Sequence, residues 1–218
     1  MLAHELRNPL APIRTTAAVL DRVPAQELPR LQAVIERQVR HLTRLVADLF
    51  DASRASTGKL KLELQSIDMA VIIAEAVDTC RPVIEQRKQR LAVYVAPRAM
   101  PIFGDPVRLS QMLMNLLDNS SKYTQNHGVI QLSAVLVGAN LALTVSDNGI
   151  GITVAALARI FDAFVQDPRA VSFSGEGLAL GLTVVRELVE AHGGTVAASS
   201  AGSGMGSQFV VSLPLYEG

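Results

Sequence analysis

The chain has 218 residues, 49% of them hydrophobic, with 20 Lys and Arg against 20 Asp and Glu. That length allows one or two domains with a real core, and zero formal charge without a Lys/Arg block offers no basis for a nucleic-acid or anionic-membrane partner. The single cysteine, Cys80, excludes an intramolecular disulfide and a cysteine zinc cluster; with no signal peptide and no apolar run of spanning length, the default setting is soluble, reducing and cytoplasmic.

Leu2, Leu6, Leu10, Ile13, Ala17 and Leu20 recur every three to four residues, a helical stripe interrupted by Pro9 and Pro12. No N-cap residue precedes it, so the helix reads as cut through its first turns, with upstream sequence absent. Asp21–Gln26 suits a short helix-helix connection. Leu31, Ile35, Gln38, Leu42, Leu45, Leu49 and Ala52 then follow the 4-3 spacing of a coiled-coil seam with one polar position. Two helices cannot bury such a seam on both sides, so a second hairpin from another copy is expected.

Ser56-Thr57-Gly58 ends this helix, and the alternating Leu60, Leu62 and Leu64 predict a short strand. The hairpin is placed at 1–56, a linker at 57–66 and a second domain at 67–218. Within the latter the patterns predict helices near 68–88, 105–124 and 179–192. Strands are predicted at 90–96, 129–137, 140–147, 194–200 and 206–214. This order lacks the alternation of a doubly wound parallel sheet. The expected fold class is α + α/β: a helical hairpin forming a dimeric four-helix bundle, then an α/β sandwich with a mixed sheet and helices on one face. Residues 165–174 lack periodicity and read as a mobile loop. Gly202-Ser-Gly-Met-Gly206 reads as a hairpin turn.

Some residue choices carry chemistry. His4 opens the run His-Glu-Leu-Arg-Asn-Pro-Leu. A histidine with a pKa of about 6.5 is mostly neutral and nucleophilic at cellular pH. Glu5 can take the remaining ring proton and stabilise the cationic ring that attack produces. Asn8, one turn on, can bond a phosphoryl oxygen or hold a water, and Pro9 removes a backbone donor and loosens the helix. A lone histidine on a helix is more often merely solvated, and His41, His127 and His192 are read as bundle, loop and helix-end positions.

Further on, Asp105-Pro106 is a helix start. Leu109, Met112, Leu113, Leu116 and Leu117 face the core, while Arg108, Gln111, Asn115, Asn119 and Lys122 form a separate stripe. A solvated face is the plain account of that stripe. Asparagines are poor helix formers, however, and their carboxamide oxygens suit magnesium. Lys122 offers a point charge to phosphate, and Tyr123 a ring to ribose or base. Leu141, Leu143, Val145 and Asp147 alternate on one strand face, and an acid at the end of an apolar face needs a donor. Gly149 and Gly151 permit a tight turn there, although Asp-Asn-Gly alone is also a common turn sequence. In Gly177-Leu178-Ala-Leu-Gly181-Leu182, glycine backbone precedes a helix N-terminus, where amides and dipole favour phosphate.

In this order the four runs, at 4–10, 115–124, 147–151 and 177–182, resemble the sensor histidine kinases of two-component signalling, over almost the whole chain. The resemblance implies an ATPase-type second domain. It makes His4 the phosphoacceptor, with Glu5 and Asn8 beside it. It makes Asn115, Asn119, Lys122, Tyr123, Asp147, Gly149, Gly151, Gly177, Leu178, Gly181 and Leu182 the ATP-binding set, with Asn119 the Mg2+ ligand and Asp147 reading the adenine amino group. In the wider superfamily shared with DNA gyrase, a glutamate that activates water stands four residues before that asparagine. Here the position is Asn115, which fits transfer to His4 better than ATP hydrolysis. Ile160-Phe-Asp-Ala-Phe164 resembles the phenylalanine box, expected to pack the base of the ATP lid. Two positions depart from the pattern: Ala179 replaces a usual glycine and Gln166 a frequent arginine. The implied partners are a second copy through 1–56 and a response-regulator receiver domain, with an upstream sensor domain outside this chain and a parent that could be membrane-attached. Two alternatives stay open: a pseudokinase dimerisation scaffold, supported by Ala179, and a phosphatase-dominant form using Glu5-Leu-Arg-Asn8.

Overall fold

Two helices open the chain in the computed structural model, which describes residues 2–20, 23–55, 61–174 and 179–216. Helix α1 (Leu2–Ala17) accommodates Pro9 and Pro12, turns through a 3-10 segment at Ala25–Glu27 and packs against α2 (Leu28–Ala55). Leu31, Ile35, Gln38 and Leu42 are only half-buried in this single hairpin. Leu10, Val39 and Val46 are 52%, 47% and 41% exposed, so the hairpin alone leaves apolar surface in water. Among the described residues no helix is long and apolar enough to cross a membrane.

The α/β part begins with β1 (Gln65–Asp68), paired antiparallel with β3 (Pro101–Gly104). A five-stranded sheet follows, in which β2 (Arg90–Val95), β4 (Val129–Val137), β5 (Asn140–Asp147), β7 (Ser207–Pro214) and β6 (Thr195–Ser199) lie side by side in that order. β2 runs parallel to β4 and the other pairs are antiparallel, which makes the sheet mixed. Helices α3 (Met69–Gln86), α4 (Pro106–Tyr123) and α7 (Gly181–Ala191) cover one face, and the short α5 (Val154–Leu157) and α6 (Pro168–Ser174) come between β5 and α7 in the chain, α6 in contact with α4. Ile130, Leu132, Leu141, Leu143, Val145, Val211 and Leu213 point at the helices and are almost fully buried. Each such side chain stabilises the fold by about 1.5–3 kcal/mol relative to exposure. Opposite them, Gln131, Ser133, Thr144 and Gln208 alternate outward, as expected of a sheet packed on one side.

Helix α4 is fastened at both ends, and that matters for the residues it carries. At its start Asp105 Oδ1 accepts the N–H groups of Val107 and Arg108 at 3.0 and 3.2 Å, the expected cap. The N–H of Asp105 itself donates to His192 Nε2 at 3.0 Å, while His192 Nδ1 lies 2.7 Å from the Leu188 carbonyl. These partners place the ring proton on Nδ1; the helix-end histidine is thus a buried staple between α7 and α4. At the other end Gln89 Nε2 donates to the carbonyls of Ser121, Thr124 and Gln125, and Gln89 Oε1 accepts from Ser121 Oγ. Arg87 Nη1 adds a bond to the Ser121 carbonyl at 2.8 Å. The orphan carbonyls of the last turn are satisfied, with a cation at the negative end of the dipole.

Two sequence expectations are corrected. Leu62 and Leu64 lie in irregular backbone and the strand is β1, one step later; Leu60 is outside the described residues. The stretch is held instead by the N–H of Glu63, which donates to Asp105 Oδ2 at 3.0 Å. The supposed loop at 165–174 contains α6, whose first turn is capped by Asp167.

Candidate functional site

Strand β5 delivers Asp147 to the rim of the sheet, directly opposite Ser207 of β7. Ser207 Oγ donates to Asp147 Oδ2 at 2.6 Å, and the Gly149 N–H donates to Oδ1 at 2.9 Å. The carboxylate is therefore oriented while lone pairs remain for a further donor. The turn that follows is braced from two sides. Ile150 N–H donates to the Tyr123 carbonyl at the end of α4, and the N–H groups of Gly204 and Gly206 donate to the carbonyls of Ile150 and Gly149. Gly151 sits at φ +69°, where a Cβ would overlap the Gly202 carbonyl, and Gly206 at φ +71°, where one would overlap the Asp147 carbonyl. Both positions require glycine. The Gly202–Gly206 hairpin turn, expected to be purely a connection, is also the buttress of the Asp147 loop. Ser207 was missed for a plain reason: a serine in an alternating strand carries no signal until its cross-strand partner is known.

An open pocket lies between this loop, α4, the stretch from Ile160 to Ala170 and the stretch from Ala179 to Leu182. Asn119 and Tyr123 line it from α4, Asp147 and Gly151 from the sheet rim, and Gly181 and Leu182 from the start of α7. Among the described residues helix α7 has no side-chain N-cap, so its first turn presents backbone donors at the positive end of the dipole. The structure thus gathers Asn119, Tyr123, Asp147, Gly151, Gly181 and Leu182 around one cavity, with Gly149 behind it. Gly177 and Leu178 lie outside the described residues.

Two candidates stand apart from this pocket. Asn115 is buried, and its Nδ2 donates to the Gly181 carbonyl at 3.3 Å, tying α4 to α7. Lys122 lines a neighbouring cavity instead, its Nζ 5.1 Å from the centre of the Tyr123 ring. The phenylalanine box divides. Phe161 packs edge-on against Phe209 with ring centres 6.5 Å apart, as a structural ring should, and Ile160 reaches the pocket. Phe164 is 48% exposed at φ +63°, so it does not pack the base of the lid.

Asp167, absent from the expected set, also lines the pocket. Its Oδ1 accepts the Arg169 N–H at 2.9 Å and its Oδ2 the Thr153 N–H at 3.0 Å, joining α6 to the turn before α5. Burial alone would raise its pKa, but these bonds, the Thr153 hydroxyl and the Arg169 charge outweigh burial and hold it below 3.8. At the far end of the same segment, Ala179 lies at φ +52°. In the hairpin, His4 and Glu5 belong to α1 but their side chains lie outside the described residues; Asn8, one turn on, is exposed and Pro9 buried.

Residues 104–217, more than half of the chain, match the family described as Histidine kinase-, DNA gyrase B-, and HSP90-like ATPase. Residues 1–58 match the His Kinase A (phospho-acceptor) domain. The chain belongs to the sensor histidine kinases. Among curated relatives of this kinase core, the sensor protein ChvG of Agrobacterium fabrum is 31% identical over 99% of the chain and 38% of its own length. The adaptive-response sensory kinase SasA of Thermosynechococcus vestitus is 34% identical over 99% of the chain and 59% of its own length. The core therefore spans less than two thirds of these relatives. Two solved structures resemble it over 98% of its length. One is the histidine kinase AdeS of Acinetobacter baumannii, with a TM-score of 0.72, 25% identity and 98% of that chain covered. The other is full-length ShkA in complex with AMPPNP, with a TM-score of 0.73, 28% identity and 44% of that chain covered. The family model implies ATP binding by this domain.

Proposed function

We propose that this chain is an ATP-dependent protein-histidine kinase. In this reading His4 accepts the γ-phosphoryl group of ATP and passes it to an aspartate of a response-regulator receiver domain. The observation that carries the reading is Asp147, a carboxylate oriented by Ser207 and Gly149 at the rim of a pocket that Asn119 lines from α4. The adenine amino group donates to Asp147, Tyr123 flanks the ribose side, and the free amides at the start of α7, with Gly181 and Leu182, meet phosphate oxygens. Gly177 and Leu178 enter the binding set by resemblance. Asn115 serves the site indirectly, by holding the Gly181 backbone against α4.

A magnesium ion fits the residues present. Asn119 lines the pocket together with Asp147 and Gly181, its carboxamide oxygen is a suitable ligand, and magnesium takes few protein ligands, completing its shell with phosphate oxygens and water. Bound there, it would neutralise charge across the phosphates, with Asn119 as its protein ligand. The transfer itself is a displacement at phosphorus. The neutral imidazole nitrogen of His4 forms a bond to the γ-phosphorus, the bond to the bridging oxygen breaks, and ADP leaves. Glu5 takes the remaining ring proton and Asn8 bonds a phosphoryl oxygen. Positioning His4 against bound ATP supplies the largest share of the rate.

The half-buried seam of α2 and the exposed Leu10, Val39 and Val46 support a homodimer through 1–56. Incubation with γ-labelled ATP should place acid-labile label on the protein. His4→Gln should abolish it while ATP affinity stays within about twofold. Label persisting on that variant would remove His4 as the acceptor.

A further inference from the structure

Among the described residues, the lining of the nucleotide pocket contains two carboxylates, Asp147 and Asp167, and no lysine or arginine. A nucleoside triphosphate brings several negative charges into it. The segment over the pocket gives little relief: between Phe164 and Thr183 the sequence holds one cation, Arg169, which is exposed and lines neither this pocket nor the cavity next to it.

That second cavity is lined by Arg87, Lys122, Thr124, Gln125, Asn126 and Phe173. The two spaces share a floor and a roof. Helix α4 presents Asn119 and Tyr123 to the first and Lys122 to the second, while α6 presents Ala170 to the first and Phe173, one turn on, to the second. The two cavities adjoin along α4 and α6 and differ in charge. Among the described residues, the second cavity holds two cations and no carboxylate. Arg87 Nη1 is pinned by the carbonyls of Ser121 and Lys122 at 2.8 and 3.4 Å, and its other N–H donors have no partner among the described residues. Lys122 pairs with no carboxylate among the described residues and rests on the Tyr123 ring. Thr124, 2% exposed, has a hydroxyl without a hydrogen-bond partner.

We infer that this cavity takes the terminal phosphate of the bound triphosphate, and that Arg87 is a specificity-determining residue that separates ATP from ADP. The inference rests on the nucleotide reading above and gives it a direction: adenine at Asp147, γ-phosphate at Arg87 and Lys122. The preset guanidinium offers paired donors to phosphate oxygens.

Isothermal titration of the full chain with Mg-ATP and Mg-ADP tests it, on the wild type, Arg87→Gln, Asn126→Asp and Arg169→Gln. Arg87→Gln should weaken ATP about tenfold and ADP by less than about twofold. Asn126→Asp sets a carboxylate in an exposed turn of the cavity wall and should cost ATP about threefold more than ADP. Arg169→Gln should leave the ATP-to-ADP ratio unchanged. Parallel losses of both nucleotides in Arg87→Gln would make Arg87 a helix-capping residue alone and overturn the proposal, as would a ratio that responds to Arg169 instead. If thermal unfolding shows Arg87→Gln to be unfolded, Asn126→Asp decides, and an unchanged ratio there overturns it. A wild type that binds neither nucleotide removes the nucleotide reading itself. One that binds both equally removes only the phosphate-end assignment.

Discussion

Ala179 holds a left-handed backbone at φ +52°, in a stretch that the pocket uses as a wall. A Cβ in that region costs about 1–2 kcal/mol, so alanine penalises this arrangement of the segment wherever it is required. Ala179→Gly should lower its energy, strengthening ATP binding and speeding autophosphorylation together by roughly fivefold. Titration calorimetry and initial-rate labelling check this; unchanged values for both would make the substitution innocent and take the best support from a pseudokinase reading. Asp147 is a second test at the same scale. Asp147→Asn keeps the shape but loses a charge-assisted acceptor, which costs about 1.5–3 kcal/mol, or roughly ten- to a hundredfold in ATP affinity. GTP, without the adenine amino group, should lose much less. Equal small losses for both would exclude Asp147 from base recognition.

Among the elements, α6 shows how a short helix is built by its cap. Seven residues offer too little length for an apolar stripe, yet Asp167-Pro168 is the same acid-proline start that announced α4 at Asp105-Pro106. The signal was legible and outweighed by the aperiodic sequence that follows. Because Asp167 titrates below 3.8 in the fold, it binds its proton more weakly folded than unfolded. Its contribution is then complete above the unfolded value and disappears as pH falls through the folded one. Asp167→Asn should therefore destabilise the domain by about 1–3 kcal/mol at neutral pH, with the gap closing below about pH 4. Denaturant unfolding of both proteins between pH 7 and 3 measures it, and a gap independent of pH would show that the carboxylate charge is irrelevant to the bracket.

For the whole molecule, the hairpin and the sheet domain bury their apolar surface differently. The sheet domain closes its own core, with Leu109, Leu113, Leu141, Val145, Val184 and Val211 fully buried. In the hairpin Leu31, Ile35 and Leu42 are only half-buried and Leu10, Val39 and Val46 are exposed, which is the surface the proposed second copy would cover. A fragment starting at residue 61 should then be a monomer that binds ATP like the full chain but takes up no label, whereas the full chain should sediment as a dimer. A fragment starting at 67 should be less stable than one starting at 61. It removes part of β1 and the Glu63 bond to Asp105 that caps the approach to α4. Equal stability of the two fragments would support a linker at 57–66.

The long helices, the five sheet strands and the fold class follow from the sequence because periodic burial writes itself into composition at fixed intervals. The chemistry proposed for His4, Asn119 and Asp147 is also read there, since each stands in a local run with its neighbours. Tertiary structure alone decided which residues meet. Ser207 became the partner of Asp147 through strand register, Asn115 left the helix stripe to hold Gly181, and His192 found the Asp105 amide 87 positions away. Arg87 and Lys122, distant in sequence, came to one cavity through the same packing. Such pairings depend on contacts between elements, and a linear pattern records the faces of each element without recording what they face.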